Sequence, residues 1–222
     1  MSFSQLLSLF TMIIPLVLVI GIVAGVYYYR FLSLKYGYLL AYLGICLLID
    51  ILSRLVGKWL ENNLVLLIVF SLLELLFFYL FFRVCYFRRK VLKHTVLVVA
   101  AGLYMITEIF LLNKIAVTAF QSYAKTFSSF LILVMVIDYL FDALRRRGNV
   151  AESISEQAAF IIYFSINLIF FLPINFLINV SSEMKFYFWC VNLVVTIFFY
   201  LFLVREIWKN GLRQKQLRHG SL

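Results

Sequence analysis

Residues 64–93 read LVLLIVFSLLELLFFYLFFRVCYFRRKVLK, an apolar run interrupted by one acid, Glu74, and closed by five cations, Arg83, Arg88, Arg89, Lys90 and Lys93. At about 1.5 Å of helix rise per residue, a run this long crosses the roughly 30 Å of hydrocarbon in a bilayer. The cations after it suit a helix end held at an anionic headgroup layer. Such a stretch reads as a membrane-spanning helix.

The same unit recurs on both sides. Further apolar stretches lie at 6–29, 36–57, 92–112, 119–143, 157–179 and 185–207, joining the span at 64–86. Of all 222 residues 65% are apolar and the mean hydropathy is +1.03, against about 45–50% apolar in soluble chains. The spans use nearly the whole chain. The expectation is an all-α membrane protein, one seven-transmembrane helix bundle over residues 1–222 with a short basic tail at 208–222. The opening Met1-Ser2-Phe3-Ser4-Gln5 has no basic region and precedes a long apolar run. Span one is therefore expected to be retained, unlike a cleaved signal. Gly21 and Gly25 form a small-xxx-small pair that lets a neighbouring helix approach. Cys46, Cys85 and Cys190 all fall within spans, where core packing accounts for them.

Charge sets the expected orientation. Arg30, Lys35, the cluster from Arg83 to Lys93, Arg145, Arg146, Arg147 and the tail cations Arg205, Lys209, Arg213, Lys215 and Arg218 share one side, 15 of the 20 basic residues. Arg54, Lys58, Lys114, Lys125 and Lys185 fall on the other. By the positive-inside rule the N-terminus faces out and the C-terminus is cytoplasmic. Tyr27, Tyr28, Tyr29 and Trp208 mark the inner level, Trp59 and Tyr187 the outer. The net charge of +10 borders the spans instead of forming a separate basic domain, so lipid headgroups, and no nucleic acid, are the expected partners.

Polar residues at bilayer depth carry the functional reading, because each is costly there. Glu74 lies mid-span, with Ser71 one turn away on the same face. It is either held protonated, since burial penalises the charged form, or paired with a group from another helix. Asp50, Arg54, Glu108, Lys125, Asn175 and Asn192 fall in the outer half, and Asp50 and Arg54 can pair at four-residue spacing. Gln121, Lys125 and Ser128 share a face, as do Tyr104 with Glu108, Tyr163 with Asn167, and Trp189, Asn192, Thr196 and Tyr200. These faces either converge on an outward-opening polar pocket, with Glu74 at its floor, or satisfy one another as interhelical glue. The candidate ligand-binding set is Glu74, Lys125, Tyr123, Asn192, Asp50, Arg54, Glu108 and Asn167. Pro173 removes a backbone bond and frees the carbonyl of Ile169, and Pro15 does the same in span one. At the inner end, Asp138 and Asp142 precede Arg145, Arg146 and Arg147. They read as a salt-bridge cluster also reaching Arg83, or as a coupling surface for a cytoplasmic partner.

Several chemistries lack their residues. The only histidines are His94 and His219, so no three-histidine metal site can form, and no metal or cofactor is expected. There is no Gly-x-Ser-x-Gly elbow and no Gly-rich phosphate loop. Asp50 and Asp138 lie at opposite ends and cannot form an aspartyl pair; Asp50, Glu74 and Glu108 leave only a weak enzyme case. Retinal is excluded because Lys185 and Lys209 stand at the ends of span seven and no lysine at its middle. A three-plus-one-plus-three transporter predicts likeness between spans 1–3 and 5–7, and none is visible.

Asn62-Asn63-Leu64 opens span three, Leu72-Leu73-Glu74 lies within it, and residues 120–126, Phe-Gln-Ser-Tyr-Ala-Lys-Thr, open span five. With an aromatic, asparagine-containing span six, these segments make spans two to seven resemble a group of small seven-transmembrane proteins of Bacteroidota-type bacteria. Members of that group are often encoded near sensor histidine kinases. The resemblance implies a bacterial inner-membrane sensor that lends a ligand site to a kinase or other membrane subunit. The expected function is therefore a receptor-like sensor of an unknown small ligand. The alternatives are a small solute transporter with Glu74 as a protonatable coupling site, or a scaffold subunit of a membrane complex.

Overall fold

The computed structural model describes residues 3–60, 64–86, 91–112, 122–145, 151–176 and 182–219. Every element among them is helical: α1 (Phe3–Tyr27), a 3-10 turn (Tyr29–Phe31), α2 (Leu34–Leu60), α3 (Leu64–Cys85), α4 (Val91–Leu112), α5 (Ala124–Arg145), α6 (Ala151–Phe176) and α7 (Ser182–His219). Helices are the solution an apolar chain finds in lipid, where each backbone N–H and C=O must be satisfied within its own segment. Six helices, α2 to α7, carry stretches long and apolar enough to cross a bilayer, and α1 adds a shorter one, Thr11–Tyr27. Less than half of each span is buried inside the protein. Leu16, Val23, Leu80, Leu103, Phe110, Phe141 and Phe198 point outward, a surface that water would not tolerate and that hydrocarbon covers. The chain is an integral membrane protein with seven helices among its described residues.

Three boundaries differ from the sequence reading. Span five was expected from 119, whereas α5 begins at Ala124, with Ser122 and Tyr123 outside the helix. Span six was expected from 157, but α6 starts at Ala151. Its polar opening, Glu152 to Gln157, has no hydropathy signal, yet acids at a helix start suit the positive end of the helix dipole. Span seven was expected to end near 207, whereas α7 continues through the basic tail to His219, making 38 residues and about 57 Å of helix.

The chain divides into two compact units, Met1–Leu55 with Trp189–Leu222, and Val56–Phe188. In the first, α1, α2 and α7 pack through glycines. A Cβ on Gly21 would collide with Val204 of α7 and stand 2.9 Å from Leu43 of α2, and one on Gly25 would collide with Leu40. Gly211 brings α7 against Tyr28, where a Cβ would meet the tyrosine Cβ at 2.5 Å. The tail helix is tied to the α1–α2 connection by further contacts. Ser33 N donates to Asn210 Oδ1 at 3.2 Å, Lys215 lies over the Tyr27 ring and Arg218 over Phe31. These contacts explain why the helix persists past the span. We expect Gly21→Ala to destabilise the protein by about 1–3 kcal/mol, because Val204 is β-branched and cannot rotate away cheaply. Gly37→Ala, whose Cβ would meet nothing within 4 Å, should be neutral or gain up to about 1 kcal/mol of helix propensity. Equal losses for both in detergent unfolding would refute this packing.

In the second unit α5 is central, packing most extensively on α6, then α3, then α4. Its buried face holds Lys125, Thr126, Ser128 and Ser129 near its start and Leu131, Ile132, Met135 and Val136 further on. An aromatic layer crosses the unit. Phe78 meets Phe160 and Phe164 at 5.4 and 5.0 Å, both edge-on, and Phe81 and Phe82 also reach Phe160. Edge-to-face pairs of this kind add about 0.5–1.5 kcal/mol each beyond their burial.

Candidate functional site

The polar centre of the second unit forms where α3 faces the first turn of α5. Glu74 is fully buried and Lys125 nearly so, and Lys125 Nζ donates to Glu74 Oε2 at 2.5 Å. One turn before Glu74 on α3, Phe70 places its ring under the ammonium at 4.9 Å, a cation–π contact. Ser71, on the same face, returns its hydroxyl to the Leu67 carbonyl at 2.8 Å. A cation in the first turn of a helix opposes the helix dipole, so Lys125 depends on Glu74 more than a mid-helix lysine would. Sequence reading placed both residues among the pocket candidates and left open whether Glu74 is protonated or paired; the structure pairs it. Phe70 was missed, although its place one turn from Glu74 is the signal that finds it.

Beside this pair, α5 presents Thr126, Ser128 and Ser129. All three are buried, and none of their hydroxyls has a hydrogen-bond partner among the described residues. A serine or threonine in a membrane helix ordinarily bonds back to the carbonyl one turn earlier, as Ser71 and Thr196 do. The Lys125 face therefore holds both a compensated charge and unused hydroxyls.

Glu108 of α4 and Tyr123 also meet, but in a different way from a shared pocket wall. Glu108 Oε1 accepts the Tyr123 backbone N–H at 2.9 Å and Oε2 accepts the Ser122 hydroxyl at 2.9 Å. The first N–H groups of a helix have no partner within it, so Glu108 acts as a cap for α5 supplied by a neighbouring helix. Asn167 is buried on α6 and donates to the Tyr163 carbonyl at 2.9 Å.

Across the phenylalanine layer the same four helices carry a second polar level. His94 Nε2 and Asp138 Oδ2 are 3.0 Å apart, with Lys93 Nζ 3.6 Å from the same oxygen. Tyr79 and Thr95 hydroxyls meet at 2.7 Å, and the Tyr86 hydroxyl donates to Glu156 Oε2 at 3.2 Å. Asp138 thus meets Lys93 and His94 of α4, two neighbours that the sequence reading did not name for it. Asp142 lies one turn further along α5 and is half-buried, Arg145 is exposed, and Arg146 and Arg147 lie outside the described residues, as does Gln121. The Asn175 side chain is likewise outside them.

Asp50, Arg54 and Asn192 fall in the first unit. Arg54 Nε donates to Asp50 Oδ2 at 2.7 Å, the pair anticipated from four-residue spacing, and Arg54 Nη2 donates to the Thr11 carbonyl at 2.6 Å. That carbonyl is the one Pro15 would have served, had proline an N–H. The structure therefore gives Arg54 a role in closing the gap Pro15 opens in α1. Asn192 is half-buried; its carbonyl accepts Thr196, and its side-chain oxygen has no partner among the described residues.

Among the described residues no group of three or more His, Cys, Asp or Glu side chains is placed to hold a metal ion. The chain matches no protein family, no curated protein and no solved structure.

Proposed function

We propose that the chain is a receptor-like sensor, held in a bacterial inner membrane with its N-terminus outside. In this reading it binds a small ligand at the Glu74–Lys125 cluster and signals through a partner protein. The observation that carries the reading is a buried ion pair tying α3 to α5 beside three unused hydroxyls. A ligand with a charged group of its own can replace one member of the pair, take hydroxyls from Ser128 and Ser129, and untie the two helices. Its effect is limited to its differential affinity for the tied and untied packings. Asp138, Asp142 and Arg145 stand at the end of α5 that the balance of basic residues assigns to the cytoplasm, and in this reading a cytoplasmic partner meets them there. A sensor histidine kinase is the partner to which the sequence resemblance points.

The test is purification of the chain from its native membrane in mild detergent, beside a Glu74→Gln variant. A kinase or other membrane subunit recovered in stoichiometric amount, with output lost in the variant, is expected. A protein recovered alone and active in moving solute across liposomes would replace this reading. The polar levels on both sides of the phenylalanine layer favour that second reading, a small solute transporter with Glu74 as its protonatable group.

A further inference from the structure

In the first unit, α7 runs on for about three turns past Trp208 and lies against the connection between α1 and α2. The apolar part of α1 ends at Tyr27 and that of α2 begins at Leu34, so residues 28–33 turn at the membrane face. Asn210 accepts the Ser33 N–H, and Gly211 backs onto Tyr28. Lys215 Nζ stands 5.5 and 6.0 Å from the Tyr27 and Tyr28 rings, and the Arg218 guanidinium 5.6 Å from Phe31. These contacts hold the tail helix at the level where headgroups replace hydrocarbon. One face of it carries Arg205, Trp208, Lys209, Leu212 and Arg213, at helical spacings of three and four, and all five are exposed. Tyr29, Arg30 and Leu34 on the connection are exposed as well.

Charge and polarity together name the occupant. Arg30, Arg205, Lys209 and Lys215 have no acid within ion-pairing distance among the described residues. The one acid on this stretch of α7, Glu206, is buried. A surface so one-sided in charge attracts anions. Trp208, Leu212 and Leu217 are exposed between its cations, and a free anion would leave them in water. Basic and apolar side chains interleaved on one helix face suit a boundary that is anionic on one side and hydrocarbon on the other. We propose that the end of α7 and the α1–α2 connection form a docking surface for anionic phospholipid headgroups. Arg30, Lys209 and Lys215 meet the phosphates, and Trp208 and Leu212 sit at the acyl boundary. This surface lies wholly in the first unit and does not depend on the function proposed for Glu74 and Lys125.

The test uses the full chain in nanodiscs of phosphatidylcholine and phosphatidylglycerol in equal parts, with bromine on the acyl chains of one lipid or the other to quench tryptophan fluorescence. A Trp59→Phe/Trp189→Phe chain leaves Trp208 as the emitter, and Trp59→Phe/Trp208→Phe leaves Trp189. Trp189 is also exposed on α7, about 28 Å along the helix from Trp208. At Trp208 phosphatidylglycerol should be preferred at least about fivefold, the effect of a single well-placed cation at an anionic surface. At Trp189 the two lipids should quench alike. Adding Lys209→Gln/Arg213→Gln/Lys215→Gln should bring the Trp208 preference close to one. If that variant does not fold, raising salt from about 0.05 to 0.5 M must shrink the preference in the unaltered tail. Equal quenching by both lipids at Trp208 overturns the surface and leaves an acidic protein as its occupant. The same preference at Trp189, a preference that survives loss of the three cations, or one indifferent to salt overturns it too.

Discussion

Replacing Glu74 with leucine is expected to lower the stability of the folded chain by about 3–5 kcal/mol, and Lys125→Met to do the same, because each leaves the other charge buried without its ion-pair partner. The pair joins α3 to α5 with Glu74 fully buried and Lys125 nearly so, so neither charge has bulk solvent to fall back on. The double variant Glu74→Leu/Lys125→Met should recover most of the loss, since apolar side chains of similar volume in place of a buried pair are often neutral or better. A double-mutant cycle measured by reversible unfolding in mixed micelles reads the coupling directly. Losses that simply add would mean the two residues do not depend on one another. The cycle also separates architecture from function. A double variant that folds as well as wild type but has lost output would show that the charges are kept for signalling, since stability does not require them.

The second large effect lies in the first unit. Arg54→Met should cost about 2–3 kcal/mol, the sum of the lost bonds to the Thr11 carbonyl and to the Asp50 carboxylate, each within the usual range for a lost buried bond and reduced by partial exposure. In a Pro15→Ala background the same substitution should cost about 1 kcal/mol less. The new alanine N–H would serve the Thr11 carbonyl, and the arginine would no longer be needed there. Identical losses in both backgrounds would show that Arg54 serves Asp50 alone. This geometry bears on function as well, because a guanidinium committed to Thr11 and Asp50 is less free to hold a ligand than its place in the sequence suggests.

Which stretches cross the membrane was legible in the sequence. Hydrocarbon thickness sets a minimum length, and lipid forbids unpaired backbone groups, so a one-dimensional count of apolar residues finds the spans at 36–57, 64–86 and 92–112 to within a few residues. The Asp50–Arg54 pair was legible for a similar reason, since its four-residue spacing is local to one helix. The start of α6 was hidden because its first turn is polar, and the end of α7 because it rests on Tyr28, Ser33 and Phe31 from the other end of the chain.

What only the tertiary structure decided is who meets whom: Glu74 with Lys125, Glu108 with the start of α5, Asp138 with His94, Arg54 with the carbonyl above Pro15. In water, an amphipathic stripe announces which face of a helix turns inward. In a bilayer the outward face is as apolar as the inward one, as α3 shows with Leu73, Leu76 and Leu80 exposed beside Leu75, Phe78 and Phe82 buried. The signal that would set each helix's rotation is thereby erased, and partners across helices depend on a rotation and depth that hydropathy does not record.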